Sequence, residues 1–165
     1  MSVIIHCRWA HSDCLAIVKE VLPCTFPVHL HCVLDSWELL SEWADWNSNV
    51  FFGFTNVIGD LDREGILDVV RRVRWDRFLL ETDAPHHVPM QVCSLYTLFS
   101  FLLYIHLLFV RFQCAGENSF PGHISLIAST VARARGVPFA DVARQSVLNL
   151  KELYQGQTDF FICQR

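Results

Sequence analysis

The feature that most constrains this chain is the regular alternation of short apolar runs with longer amphipathic segments between residues 3 and 85. Four runs rich in β-branched, leucine and aromatic residues are typical of buried strands, and they lie at residues 3–6, 28–32, 50–55 and 78–80. Apolar residues recur at helical spacing in the segments between them. Strands joined by helical crossovers of this length pair in parallel. The alternation therefore predicts an α/β fold with a parallel sheet.

Local signals place the ends of several predicted helices. Ser12 or Asp13 can cap the first helix by accepting a backbone hydrogen bond. After Pro121 the pattern becomes helical throughout, and Gly136 can end the first helix of this region. Pro138 can begin the last helix, because its fixed φ suits a first helical position.

The composition indicates a folded domain without a large basic surface. Of 165 residues, 52% are hydrophobic and 18% are charged, which argues against disorder. The formal net charge is −4, which argues against extensive non-specific binding to nucleic acid. A nucleic-acid enzyme remains compatible with this charge, since a metal ion can supply positive charge where phosphate binds.

The cysteine pattern favours a reduced intracellular compartment, cytoplasmic or nuclear. The chain has seven cysteines, an odd number, and no two of them form a C-x-x-C pair. The sequence also begins without the pattern of a secretory signal. We therefore expect no disulfide partner among these thiols.

Three of the four predicted strands end in a side chain that can bind metal. His6 ends the first strand, His31 the second, and Asp83 follows the fourth. The carboxyl ends of strands form the active face of a parallel α/β barrel, so these side chains are expected to converge. Two imidazoles and a carboxylate can bind Mg²⁺, Mn²⁺ or Zn²⁺. In the alternative interpretation, each His is an ordinary polar residue and Asp83 caps the turn that follows it.

Several segments resemble motifs of TatD-type deoxyribonucleases, especially those of animals. The segments at residues 3–8 (VIIHCR), 31–36 (HCVLDS) and 81–85 (ETDAP) resemble three successive motifs of that family. Those at residues 121–123 (PGH) and 149–154 (NLKELY) are similar to its closing part. The resemblance implies a metal-dependent (β/α)₈ barrel that hydrolyses phosphodiester bonds in nucleic acid, with DNA favoured over RNA as the substrate.

The resemblance also implies roles for individual residues. His6 and His31 would be metal ligands, and Asp83 would bind metal and act catalytically by orienting or deprotonating the attacking water. Arg8 would hold a substrate phosphate, although an ion pair within its loop is an equally good interpretation.

The departures from the family suggest an incomplete site. The H-x-H pair of the family's first strand and the metal-binding Glu of its fourth are not found, so the chain is expected to match the C-terminal half only. The expected fold is a partial (β/α)₈ TIM-type barrel of strands five to eight with C-terminal helices, and catalysis is expected to be impaired. Asp35 also stands where the family has glycine, which would bring a negative charge near the substrate path.

An apolar segment interrupts the predicted domain. Residues 92–112 contain a single charge, Arg111, and are long enough to span a bilayer. A retained intron over 92–113 is the preferred interpretation, because its removal joins Gln91 to Cys114 in an ordinary loop. The chain then divides into barrel units at 1–91, the insert at 92–113 and closing helices at 114–165. The alternatives to an enzyme are a non-catalytic truncated isoform, or a membrane-associated protein anchored by residues 92–112 if the insert is genuine.

Overall fold

The computed structural model describes residues 1–59, 64–86, 119 and 121–154. The strands are β1 (Val3–His6), β2 (Val28–His31), β3 (Val50–Phe54) and β4 (Phe78–Leu80). The helices are α1 (His11–Val21), α2 (Trp37–Trp46), α3 (Glu64–Arg72), α4 (Ile124–Arg135) and α5 (Phe139–Tyr154). Short 3₁₀ turns lie at Asn56–Gly59 and Pro121–His123.

The four strands form one parallel sheet in chain order, β1-β2-β3-β4. Val28 is paired with Val3 on one side and with Val50 on the other, and His6 lies directly opposite His31. This arrangement confirms the predicted α/β fold with a parallel sheet. It also places all the strand ends at one edge, because the strands run in the same direction.

The two faces of the sheet border two separate apolar clusters. Helices α1 to α4, together with Val142 of α5, share a large apolar core with one face, which includes Leu15, Leu30, Trp43, Phe52, Phe54, Phe78 and Val131. On the opposite face, Phe51 and Leu79 pack against Leu153 of α5, and the half-buried Tyr154 joins this smaller cluster. Strand β3 is therefore buried on both faces, as its continuous apolar sequence requires.

Helix α5 is attached to β4 by a buried amide. Asn149 is fully buried, and its Nδ2 donates to the carbonyl oxygens of Trp75 (3.1 Å) and Phe78 (2.8 Å). Arg77, next to β4, adds an ion pair of 2.9 Å with Glu152. Because these contacts lie within two turns of Tyr154, the end of the helix is held against the sheet.

The first helix begins earlier than predicted. Its N-cap is Ala10, and neither Ser12 nor Asp13 caps it, so that prediction is wrong. The reason is the tight turn after β1, where Trp9 adopts a positive φ of 61° and the Ala10 carbonyl already accepts from Cys14. The prediction at Gly136 is confirmed, since this residue ends α4 with a φ of 67°.

The apolar insert at 92–113 lies outside the described residues, as does the boundary at 114. In the parts of the chain that are described, no helix combines the length and apolar character needed to cross a membrane. The division into 1–91, 92–113 and 114–165 stays a prediction.

Candidate metal centre

The three predicted ligands lie together at the carboxyl edge of the sheet. The rings of His6 and His31 have centroids 5.3 Å apart, and Nε2 of His31 is 3.3 Å from Oδ1 of Asp83. His6 is exposed at the rim, whereas the side chains of His31 and Asp83 are 24% and 14% exposed. Among the described residues, no three His, Cys, Asp or Glu side chains are already arranged to share one ion. The centre is thus a pre-arranged His31–Asp83 pair with His6 beside it.

Glu81 supports this pair from behind. Its Oε1 is 3.1 Å from Nδ1 of His31, and its Oε2 accepts a hydrogen bond of 3.0 Å from the Cys32 backbone N–H. A carboxylate only accepts hydrogen bonds, so Nδ1 of His31 carries the proton in this contact. In the neutral ring Nε2 is then left with a lone pair, and this lone pair is on the side of Asp83.

The electrostatics of Glu81 follow from its partners. Burial alone would raise its pKa, but hydrogen bonds from His29 and His31 outweigh that effect and hold the pKa of Glu81 at about 2. The pKa of His31 is raised, mainly because Glu81 accepts its hydrogen bond, while burial opposes the rise. Glu81 is therefore a carboxylate across the physiological range.

Glu81 reaches β2 from β4 by passing over β3 at Gly53. A Cβ on Gly53 would lie 2.7 Å from Oε1 of Glu81 and closer still to Oε2. Such distances are shorter than real Cβ contacts, so any side chain at this position would displace the carboxylate. The missing side chain of Gly53 is what allows Glu81 to contact His31.

A second buried histidine extends the network. His29 lies on the same face of β2 as His31, with Nε2 2.5 Å from Oε1 of Glu81. Its Nδ1 is 2.8 Å from the hydroxyl of Tyr154. The contacts of Glu81 therefore continue from the candidate centre to the end of helix α5.

Two residues at the candidate centre, Cys32 and Asp83, have a strained backbone. Cys32 and Asp83 both adopt left-handed conformations, with φ of 52° and 51°. Such conformations cost on the order of 1–3 kcal/mol each for non-glycine residues and persist where surrounding contacts enforce them. At Cys32 those contacts are the backbone hydrogen bond to Glu81 and a thiol contact of 3.5 Å with Thr55.

The loop that carries Asp83 is tied to two other segments. Nδ2 of Asn56, which follows β3, donates to the Thr82 carbonyl at 3.1 Å and to the Ser119 hydroxyl at 2.9 Å. The backbone N–H of Ser119 donates to the Pro85 carbonyl at 2.8 Å. These hydrogen bonds fix the backbone on both sides of Asp83.

The His31–Asp83 pair fits a divalent cation. Two ligands on a tetrahedral ion with bonds of 2.0–2.1 Å lie about 3.3 Å apart, which is the separation found here. A neutral imidazole nitrogen and a carboxylate oxygen both present lone pairs, so a cation between them relieves their repulsion. The carboxylate behind Nδ1 completes the carboxylate–histidine arrangement that orients metal-binding imidazoles.

The side chain of Arg8 is exposed and makes no ion pair with any described residue. Its predicted phosphate contact stays a prediction. Asp35 does not act as a bare negative charge, because its Oδ2 lies 2.7 Å from Nε2 of the buried His11. No role for His11 was predicted from the sequence.

Three contributors to the centre were missed from the sequence: His29, Gly53 and Glu81. The period of two along a strand could have identified His29, which shares a face with His31 in an H-x-H tripeptide on β2. The same period places Glu81 two positions before Asp83. The contribution of Gly53 becomes visible only when the neighbouring strands are in register.

The chain is similar in sequence to several nucleases and hydrolases. It is 32% identical over 90 residues to the human "3'-5' RNA nuclease TATDN2", which is 54% of this chain and 12% of that protein. The "3'-5' ssDNA/RNA exonuclease TatD" of Erwinia tasmaniensis is 29% identical over 93% of this chain and 52% of its own length. An Escherichia coli K12 protein named as a metal-dependent hydrolase, YcfH, is 32% identical over 92% of this chain and 48% of its own length.

Solved structures show the same fold. A TatD homolog from Escherichia coli K12 has a TM-score of 0.68 and 18% identity, and the match covers 93% of this chain and 49% of that chain. An amidohydrolase from Saccharomyces cerevisiae also has a TM-score of 0.68, at 17% identity, and the match covers 92% of this chain and 53% of that chain.

The family model described as TatD related DNase matches residues 1–155. This match overturns the expectation of a resemblance restricted to the C-terminal half of the family. The chain spans about half the length of the bacterial relatives that it matches. With nearly every residue inside the match, the chain belongs to the TatD-related DNase family.

Proposed function

We propose that this chain binds a divalent metal ion through His31 and Asp83, with His6 as a further ligand, and hydrolyses phosphodiester bonds in nucleic acid. The observation that carries the proposal is the 3.3 Å separation of Nε2 of His31 and Oδ1 of Asp83, with Glu81 holding the other ring nitrogen. The printed names of the relatives support it, since they describe a metal-dependent hydrolase and 3'-5' nucleases.

Each residue has a defined task in this proposal. His31 presents the lone pair of Nε2, and Glu81 keeps the ring from turning. Asp83 binds through its carboxylate, orients the attacking water and accepts its proton. When bound, a divalent ion supplies the positive charge that stabilises the developing charge on phosphate. Arg8 lies in the loop after β1, where an exposed guanidinium can pair with a phosphate of the substrate.

We propose that β1 to β4 are consecutive strands of a (β/α)₈ TIM-type barrel, followed by C-terminal helices α4 and α5. Within the described residues, β1 and β4 each pair with one neighbouring strand, which leaves both edges of the sheet open. The solved structures that the chain resembles are about twice its length. The match covers about half of each of those chains, which supports a barrel that contains this sheet as one part.

For the substrate we propose DNA first and RNA second, with Mg²⁺, Mn²⁺ or Zn²⁺ as the metal. The negative net charge of the chain favours contacts confined to the centre over a broad basic surface. The names of the relatives include both single-stranded DNA and RNA, so both polymers belong in the assay.

The test is an assay of the full chain on end-labelled single-stranded DNA and RNA with each metal. We expect metal-dependent cleavage that falls at least about 100-fold in Asp83→Asn. Asp13→Asn is the matched control, because it removes an exposed carboxylate from α1. The expected impairment of catalysis is measured by dividing the cleavage rate of this chain by that of the Erwinia tasmaniensis enzyme. Equal cleavage by the wild type and Asp83→Asn would remove Asp83 from the site.

The non-catalytic alternative makes a different prediction. In that case the chain binds Mn²⁺ in calorimetry but cleaves neither polymer above a no-protein blank. If Asp83→Asn then loses Mn²⁺ binding, the proposed metal site is supported and the proposed hydrolytic activity is rejected.

A further inference from the structure

A continuous line of polar contacts joins helix α5 to the candidate metal ligand. It runs from the Tyr154 hydroxyl to Nδ1 of His29 at 2.8 Å, and from Nε2 of His29 to Oε1 of Glu81 at 2.5 Å. The same Glu81 oxygen is 3.1 Å from Nδ1 of His31. All four side chains are buried or half-buried, so water screens these contacts less than at the surface.

The donors and acceptors along this line fit one set of proton positions. Glu81 can only accept, so Nε2 of His29 carries a proton and Nδ1 of the neutral ring is an acceptor. Nδ1 then accepts from the Tyr154 hydroxyl. At the other end, Nδ1 of His31 donates to Glu81, which leaves Nε2 of His31 as the acceptor nearest to Asp83.

The hydroxyl of Tyr154 supports this arrangement at His29, because it donates to the Nδ1 that the contact with Glu81 leaves as an acceptor. If the hydroxyl were absent, Nδ1 of His29 would be a buried acceptor without this donor, and the His29 ring would lose the contact that holds its orientation. A rotated His29 ring would no longer place Nε2 against Oε1 of Glu81. Glu81 would then be held less firmly, and its contact with Nδ1 of His31 would weaken.

Helix α5 holds the phenol in place through contacts that do not involve the network. Asn149 attaches the helix to the carbonyls of Trp75 and Phe78, and Leu153 packs on Phe51 and Leu79. The position of Tyr154 is therefore set by the docking of α5 on the sheet.

We propose that Tyr154 and His29 are positioning residues, which act through Glu81 to fix the tautomer and orientation of the His31 imidazole. Helix α5 thereby controls how well His31 binds a metal ion. This inference rests on the proposed function in so far as His31 is a ligand, but the relay of polar contacts from Tyr154 to His31 is present without a metal ion and can be tested in the metal-free chain.

The test compares two variants of the full chain that each remove one hydroxyl from α5. Tyr154→Phe keeps the ring and its packing but removes the donor to His29. Ser146→Ala is the control, because its hydroxyl donates within the helix, to the Ala143 carbonyl at 3.0 Å. The first readout is the ¹⁵N chemical shift of the His29 and His31 ring nitrogens in metal-free protein, which report the tautomer directly. The second readout is Mn²⁺ affinity by calorimetry.

We expect Tyr154→Phe to shift the ring nitrogens of both histidines and to weaken Mn²⁺ binding about 10-fold, the lower end of the range for outer-shell partners. Ser146→Ala should change neither. His29→Phe is a second variant that removes the same link, and it should also weaken Mn²⁺ binding.

Unchanged ¹⁵N shifts of His31 in a folded Tyr154→Phe protein would overturn the inference. If the wild type binds no Mn²⁺, the proposed function fails, but the ¹⁵N shifts still decide whether the relay exists. If metal binding weakens equally in Tyr154→Phe and Ser146→Ala, the effect belongs to the helix as a whole and the relay is rejected.

Discussion

Nε2 of His11 lies 2.7 Å from Oδ2 of Asp35, and this contact ties the first turn of helix α1 to the loop that follows β2. The side chains are only 5% and 18% exposed, so the pair is largely removed from water. Asp35 stands where the resembled family has glycine, and the carboxylate that it adds is matched by a buried imidazole. The two positions therefore form one structural unit.

We predict that substitutions at this pair are strongly non-additive. Asp35→Asn and His11→Ala should each lower the free energy of unfolding by about 1–3 kcal/mol, because the remaining partner is left buried without its contact. In the double variant the second change should cost little, which gives a coupling energy of about 1–2 kcal/mol. Urea unfolding of the four proteins measures this coupling, and purely additive losses would show that the contact contributes nothing.

Gly53→Ala and Gly65→Ala should change stability in opposite directions. A methyl group at Gly53 meets the Glu81 carboxylate, so we expect a loss of about 1–3 kcal/mol and weaker metal binding. The same change at Gly65, in the first turn of α3, meets nothing within 4 Å and replaces glycine by the best helix former. It should be neutral or stabilising by up to about 1 kcal/mol. Thermal unfolding of both proteins checks the signs, and equal losses would disprove the steric explanation.

Much of the fold could be predicted because its strands are locally distinctive. Every residue of β3 is apolar except Gly53, which fits burial on both faces. The turns after the strands could not be predicted in the same way. They depend on positive φ at Trp9 and Cys32, residue types with no intrinsic preference for that region. Tertiary hydrogen bonds, such as that from Cys32 to Glu81, enforce the conformation instead.

The residues of the candidate centre that lie at strand ends could be predicted from the sequence, but the residues that support them could not. His6, His31 and Asp83 follow from the parallel order, which brings one edge of every strand together. The support from Glu81 does not follow, because β4 and β2 are not neighbours and the contact needs a glycine between them. The role of Tyr154 requires knowledge of where α5 docks, and its anchor, Asn149, bonds residues more than 70 positions away.

Stability should depend on pH through Glu81 and His31. The pKa of Glu81 is about 2, below its ordinary value of 4.5, because hydrogen bonds from His29 and His31 outweigh burial. Its contribution is therefore fully present above pH 4.5 and is lost as the pH falls towards 2. It is on the order of 3 kcal/mol by linkage. The pKa of His31 is raised from 6.5, so its contribution is present below pH 6.5 and is lost as the pH rises through the folded value.

The pH profile of urea unfolding separates these two effects. Glu81 and His31 together should stabilise the metal-free wild type most between about pH 4.5 and 6.5. Glu81→Gln should flatten the profile on the acid side, whereas Glu42→Gln, an exposed change on α2, should leave it unaltered. An identical acid limb in Glu81→Gln would show that other carboxylates determine it.

Loss of the Asn149 amide should loosen α5 and affect the candidate centre indirectly. Asn149→Ala leaves the carbonyls of Trp75 and Phe78 without their donor and opens a cavity. We expect a loss of about 2–4 kcal/mol in the free energy of unfolding. Hydrogen exchange should show faster exchange along α5 than along α1, and uniform acceleration of both helices would contradict a local effect.

Metal binding itself should stabilise the folded chain. A ligand that binds only the folded state adds RT ln(1 + [L]/Kd), which is about 2.7 kcal/mol at 100 times Kd. Mn²⁺ should therefore raise the melting temperature, and a chelator should reverse the increase. Asp83→Asn removes a proposed ligand and should abolish the shift, whereas Asp13→Asn should retain it, because this carboxylate is exposed on α1 and is not among the proposed ligands. A shift of equal size in both variants would mean that the ion binds elsewhere, since His31 and Asp83 are the pair whose spacing matches two ligands of one ion.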